Sequence, residues 1–239
     1  MRISQRGPGA ARNVGIEATP CEWVGLLDAD DHWRPEFLAR TAAVAKECPD
    51  LVAVFTAAHA LNVTPASGST FSGRIEDYHR ARLQFKVAMS SSSILLKRAA
   101  FLDIGGFAEG YRYAEDTEAW FRLSCAGPTY YIDEQLCELE LSDPTSVTKV
   151  ASSMERAAGL RKLADSFDRY LQSGRIPAGQ IASCVRFMQH QRGRLALHLV
   201  LAGHRRKGLQ VLFTEVPLGV HTWREYVSCI RAALPRGRR

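Results

Sequence analysis

Short apolar runs alternate with amphipathic stretches over the first part of the chain, and that alternation sets the expected elements. "WVGLL" (Trp23 to Leu27) is apolar and β-leaning and stops at aspartates, which predicts a buried strand with carboxylates at its C-terminal end. In "RPEFLARTAAVAKECPD", Pro35 suits a first helical position and Pro49 a stop, so a helix is expected over Pro35 to Cys48. "LVAVFTA" (Leu51 to Ala57) predicts a second buried strand, and the polar "NVTPASGSTFSG" a surface loop. A helix over Ile75 to Phe85, a strand over Ser92 to Lys97 and a short helix "RAAFLDI" ended by Gly105 and Gly106 come next. They are followed by a helix "EDTEAWFRLSCAG" and a strand "TYYIDEQL". Strand and helix alternate up to about residue 140, the pattern of an α/β fold.

From Ser152 the pattern is helical only. Met154, Ala158, Leu160, Leu163, Phe167 and Leu171 keep helical spacing, and further helices are expected over Ile181 to Ala202, Arg205 to Phe213 and Thr222 to Leu234. Two domains are therefore expected: an α/β domain over residues 1–150 and a basic helical extension over residues 151–239. Charge sharpens the division. Residues 1–150 hold 15 Lys/Arg against 20 Asp/Glu, net −5, whereas 151–239 hold 16 against 5, net +11.

The basic helical faces admit two readings, a solvated surface or a surface for membrane phosphates or another anionic partner. Nucleic acid is not indicated, because no aromatic-and-basic stacking motif or zinc-finger spacing accompanies the charge. The 239 residues are 46% hydrophobic, which fits a folded chain rather than a disordered one. Six scattered cysteines, with no C-x-x-C pair, read as free thiols in a reducing, cytoplasmic setting. "LALHLVLAG" (Leu195 to Gly203) is far short of a membrane span, so contact with a membrane would be peripheral.

The candidate chemistry begins with "VGLLDADDHWRP", where Asp28, Asp30 and Asp31 crowd behind the first strand. Either this is a polar strand end, or a divalent cation reverses the repulsion. A calcium EF-hand loop starting at Asp28 fails, since its fifth, sixth and twelfth places hold His32, Trp33 and Ala39. What remains is D-x-D, Asp28-Ala29-Asp30. Mg²⁺ or Mn²⁺ commonly binds one or two protein carboxylates while substrate phosphates and water complete the shell.

A second acidic site, "YAEDTEAWFR", places Glu115 and Asp116 in a first helical turn, where they favour the helix dipole. A carboxylate there is also suited to accept a hydroxyl proton, and the two readings are compatible. The third element, "GPGAARNVG", is a Gly/Pro loop running into a helix, able to present backbone N–H groups and Arg12 to a phosphate. A plain surface role for Arg12, and a turn or cap for Asn13, fit equally.

Taken in order, "GPGAARNVGIEAT" with "EWVGLLDADDHWRPEFL", then "SSSSILLKRAAFLDIGGFAEGYRYAEDTEAWFRL" and more loosely "DPTSVT" (Asp143 to Thr148), resemble the family 2 inverting glycosyltransferases. Those have the A-type, nucleotide-diphospho-sugar-binding fold. The resemblance implies a partial Rossmann-like mixed sheet flanked by helices, with the all-helical part appended. It implies Asp30 as the direct Mg²⁺ or Mn²⁺ ligand, with Asp28 nearer the ribose and metal shell. Arg12 and Asn13 would line the nucleotide site, Asp116 would be the catalytic base with Glu115 beside it, and Asp31 and Ser92 would lie by the donor sugar. Trp120, one turn beyond Asp116, would border the acceptor, although core burial is the commoner fate of such a residue.

The implied reaction is inverting transfer from a nucleotide-diphospho-sugar to a hydroxyl of a glycan or lipid-linked acceptor, in polysaccharide or glycoconjugate synthesis. Two departures accompany the resemblance. The chain starts almost at the Arg-Asn segment, so the opening β-α-β unit of the family is expected to be missing, leaving a long sheet edge open to self-association. Ser142 and Asp143 stand where members often carry a histidine that approaches the diphosphate. The alternatives are a non-catalytic truncated fragment acting through its basic helices, and a metal-dependent phosphoesterase.

Overall fold

The structure, a computed structural model, describes residues 7–60, 71–140, 150–219 and 222–234. "DPTSVT", with Ser142 and Asp143, and most of the Gly/Ser/Thr-rich loop lie outside them. Two compact units are present. The first comprises Met1–Gly110 and Asp116–Ser146, the second Tyr111–Glu115 and Val147–Arg239.

The first unit is a mixed sheet with helices. Its strands are β1 (Trp23–Gly25), β2 (His32–Trp33), β3 (Ala53–Ala60), β4 (Gly73–Ile75), β5 (Ile94–Lys97) and β6 (Thr129–Leu139). They run in the order β1-β5-β3-β6-β2, with β4 also on β6. Among the described strands only β3 and β6 are parallel, while β1 pairs antiparallel with β5 and β2 with β6.

Period-2 alternation puts Ala53, Phe55, Ile94 and Leu96 in one core and Val54, Leu95 and Ile132 in another. Burial on both faces explains why these strands read as continuous apolar runs. Among the described strands β1 lies at the end of the sheet, so the edge is three residues long rather than the long one expected. β2 has no sequence signature: it is two residues, seated by the Arg34 N–H donating to the Leu136 carbonyl at 3.0 Å.

The helices of this unit are α1 (Pro8–Ala18), α2 (Phe37–Glu47), α3 (Tyr78–Phe85), α4 (Arg98–Asp103) and α5 (Glu115–Ala126), the last contributing from Asp116 onward. The expected Gly/Pro loop is corrected by α1, which begins at Pro8, a residue whose fixed φ and missing N–H suit a first helical turn. Arg98 ties down the other end of α1, donating from Nε to the Ile16 carbonyl and from Nη2 to the Glu17 carbonyl, each at 2.9 Å.

The second unit consists of α6 (Ser153–Gln172), α7 (Ile181–Leu201), α8 (Arg205–Glu215) and α9 (Trp223–Ala233), with the segment Tyr111–Glu115. Ser152 and Glu155 form a reciprocal capping box at the start of α6. Leu160, Leu163 and Phe167 of α6, and Phe187, Met188 and Leu195 of α7, are buried. Two-point arginine pairs join the helices: Arg161 with Glu215 at 2.9 and 2.8 Å, and Arg192 with Asp168 at 2.6 and 2.8 Å.

The segment Tyr111–Glu115 is held closely. Arg194 Nη2 donates to Tyr113 Oη at 2.7 Å, Arg112 pairs with Glu155 at 3.1 Å, and Gly159 packs against the Tyr113 carbonyl. No helix among the described residues is long and apolar enough to cross a membrane.

Candidate functional site

β1 delivers the aspartates to the sheet's end, and two side chains, Arg12 and Ser92, fix them there. Arg12, projecting from mid-helix in α1, grips Asp28 with Nη2 at 2.6 Å from Oδ1 and 2.9 Å from Oδ2, and with Nε at 3.2 Å from Oδ1. Its guanidinium also lies 5.5 Å from the Phe107 ring centroid. The expected free N–H groups can come only from the first turn of α1, ahead of the Ala11 N–H, which donates to the Gly7 carbonyl at 3.4 Å; from there on the backbone N–H groups, that of Arg12 included, are turned to the helix's own carbonyls. Arg12 instead reaches the site with its side chain.

Ser92 is the second anchor and is buried. It lies in a 3₁₀ turn, Ser91–Ser93, at the start of β5. Its hydroxyl accepts the Asp28 N–H at 3.0 Å and donates to Asp31 Oδ2 at 2.5 Å, and its carbonyl accepts the Trp33 indole N–H at 2.6 Å. Asp31 accepts a further bond from the Glu140 N–H at 3.0 Å. Both Asp31 oxygens are thus occupied in holding the aspartate turn, which makes Asp31 a brace rather than a free sugar contact.

Asp30 is the exception. It is exposed, and no side-chain partner is found for it among the described residues. Among those residues no three His, Cys, Asp or Glu side chains converge on a point that could enclose an ion. The donor set therefore fits only a hard cation that draws most of its oxygens from a diphosphate and water, as Mg²⁺ and Mn²⁺ do. Beneath the cluster, Cys137 has its thiol pushed up to about 12, by burial first and then by Asp31 and Asp28, so it stays protonated.

Asn13 does not face a nucleotide through a free amide. Nδ2 donates to the Phe107 carbonyl and Oδ1 accepts the Phe107 N–H, both at 2.8 Å. The same turn is held from α5, where Arg122 donates to the Ile104 carbonyl at 2.5 Å and the Gly106 carbonyl at 2.7 Å. Arg122 is itself paired with Glu118 at 2.6 Å, both buried. Sequence reading missed this pair, although its i,i+4 spacing on one helix was a usable signal.

Asp116 is half-buried in the first turn of α5. Its Oδ1 accepts from the Thr117 N–H at 2.5 Å and the Thr117 hydroxyl at 3.2 Å. Among the described residues Oδ2 accepts no hydrogen bond. Arg82 of α3, another residue the sequence did not single out, has its pKa raised by Tyr78 first and also by Asp116, against the effect of burial.

Glu115 ends the segment that belongs to the second unit, directly after Ala114, whose φ of 66° is unusual for a residue with a Cβ. Trp120 corrects an expectation. It is 1% exposed and packs on Phe101 and Phe107, so it has no surface with which to border an acceptor.

A mixed sheet with one parallel pair among the described strands, flanked by helices, fits the A-type glycosyltransferase fold. Residues 1–105 match the model of glycosyl transferase family 2. A succinoglycan biosynthesis protein, ExoO of Rhizobium meliloti (strain 1021), is 54% identical over 35 residues, 15% of this chain and 10% of ExoO.

Of solved structures, S. aureus TarS (residues 1–349) in complex with UDP-GlcNAc matches 95% of this chain and 74% of that one, with a TM-score of 0.60 at 15% identity. The mannosyltransferase PcManGT of Pyrobaculum calidifontis, in complex with GDP-Man and Mn²⁺, matches 96% of this chain and 66% of its own, with a TM-score of 0.51 at 16% identity. These structural likenesses establish the fold. The chain spans only part of each relative.

Proposed function

We propose that the protein transfers a sugar from a nucleotide-diphospho-sugar to a hydroxyl of a glycan or lipid-linked acceptor, with inversion, in polysaccharide or glycoconjugate synthesis. The observation that carries this reading is the division of labour at the D-x-D: Asp28 is locked by Arg12 and Ser92, while its neighbour Asp30 stands exposed and unpaired. An exposed carboxylate next to a fixed one is open to a ligand from solvent, which is what a cation brought in with a diphosphate requires. The ExoO match and the TarS and PcManGT likenesses support the same reading.

In this mechanism Asp30 would hold Mg²⁺ or Mn²⁺, with Asp28 kept beside it by Arg12. When bound, the cation supplies positive charge to the leaving group. Arg12, Ser92 and Asp31 keep the aspartate turn in place before the donor arrives, so that no reorganisation is needed during reaction. Asp116 accepts the proton of the acceptor hydroxyl at its unoccupied oxygen while that hydroxyl oxygen bonds to the anomeric carbon. The bond from the anomeric carbon to the diphosphate oxygen breaks on the opposite face, which inverts the configuration.

The test is a transfer assay across a panel of nucleotide sugars with Mn²⁺, with the product anomer read by NMR. Asp30→Ala and Asp116→Asn are each expected to lower kcat by about 100-fold or more. Turnover retained in both variants, or a product of retained configuration, contradicts the reading.

A further inference from the structure

The last helix of the second unit has an apolar face that the fold does not bury. On its inner side Tyr226 and Cys229 are buried, and Tyr226 Oη donates to the Val216 carbonyl at 2.6 Å and the Leu212 carbonyl at 3.0 Å. On its outer side Trp223, Val227, Ile230 and Leu234 recur at helical spacing along one stripe. Trp223 is 60% exposed, Ile230 41% and Leu234 59%. Phe213 of α8 is also exposed and meets the Tyr226 ring edge-on at 5.8 Å, and exposed Leu218 lies in the connection between the two helices. Large apolar side chains left exposed at helical spacing on one face mark an interaction site.

We propose that this face lies in the headgroup boundary of an anionic lipid surface. Arg224 and Arg231, both exposed, run along α9 beside the stripe, and the sequence adds Arg236, Arg238 and Arg239 directly after it. Tryptophan and large aliphatics on one face with arginines alongside are the composition of a helix that lies in the interface plane. The charge of the region selects this occupant over a second copy of the chain. Residues 151–239 carry a net +11, which two copies would bring together but anionic headgroups neutralise. With no spanning helix among the described residues, the contact is a peripheral one. It stands independently of the proposed transfer reaction.

The experiment is flotation of the full chain with vesicles of phosphatidylcholine alone and of phosphatidylcholine with phosphatidylglycerol. Binding is expected to the anionic vesicles, weakening as salt is raised. Arg224→Gln with Arg231→Gln should weaken it by about thirtyfold, each arginine contributing about fivefold. Trp223→Ser with Ile230→Ser should weaken it by about tenfold or more, with the circular dichroism spectrum unchanged.

The wild-type chain supplies a readout that needs no destabilising variant: brominated lipids should quench a tryptophan emission that is lost in Trp223→Phe. Failure to float with anionic vesicles, equal binding by the variants, or absence of quenching overturns the proposal. Self-association in light scattering that Trp223→Ser with Ile230→Ser abolishes also overturns it, and assigns the face to a second copy.

Discussion

Asn13 and Phe107, ninety-four residues apart, are joined at two points: the Asn13 amide donates to the Phe107 carbonyl and accepts its N–H, both at 2.8 Å. This clamp fastens the helix that carries Arg12 to the turn before α5. Gly106 makes it possible, because its φ is +65° and a Cβ there would stand 2.7 Å from Asn13 Oδ1. Asn13→Ala leaves two buried backbone groups unpaired and should cost about 1–3 kcal/mol. Gly106→Ala should cost less in the Asn13→Ala background than in the wild type, because the clash has gone and only the backbone strain remains. A double-mutant cycle by denaturant unfolding measures the coupling, and strict additivity would contradict the clamp.

Ser92→Ala removes the hydroxyl that joins the Asp28 backbone to the Asp31 carboxylate. If the aspartate turn is pre-set by this bond, Mn²⁺-dependent nucleotide affinity should fall about tenfold or more, as it does when groups behind a metal ligand are lost. Calorimetric titration of the variant with nucleoside diphosphate and Mn²⁺ checks this. Unaltered affinity would make Ser92 a packing residue.

The site was legible where local pattern carries it. An apolar run halted by aspartates marked the end of β1, and acidic residues opening an amphipathic run marked α5. What escaped depends on partners distant in sequence. Trp33 reads as part of a polar turn until its indole is found on the Ser92 carbonyl and stacked on Phe37 at a ring-centroid distance of 4.3 Å. Asn13 and Trp120 carried plausible ligand chemistry, but one is absorbed by the Phe107 backbone and the other by the aromatic core. That Tyr111–Glu115 belongs with the helical unit could not be read locally, since Arg194, Arg112 and Gly159 hold it through tertiary contacts.

Gly159 yields a further prediction. A Cβ at this position would stand 2.1 Å from the Tyr113 carbonyl oxygen, and backbone has little freedom to yield. Gly159→Ala should destabilise the helical unit by about 1–3 kcal/mol. Because the chain runs from Tyr113 through Ala114 and Glu115 into Asp116, kcat should fall more than the KM for the donor rises. A loss confined to stability, with kcat intact, would uncouple this segment from the base.

His198 sets a pH response in the helical unit. Burial first, then Arg194 and Arg156, lower its pKa in the folded state. The unfolded chain therefore binds the proton more readily, and stability is full above the unfolded value of about 6.5 and falls as pH drops through it. Thermal unfolding at pH 7.5 and 5.5 should show a smaller acid loss for His198→Gln than for the wild type. Identical losses would show that His198 does not set the acid response.

In the proposed reaction Asp30 holds a cation for a nucleotide diphosphate while Asp116 serves only the proton transfer. Calorimetric titration with nucleoside diphosphates in the presence of Mn²⁺ tests it most directly. Wild type and Asp116→Asn should bind with similar affinity, whereas Asp30→Ala should bind at least about tenfold more weakly. Equal binding by Asp30→Ala and wild type, or no Mn²⁺-dependent binding of any nucleotide by the wild type, would contradict it.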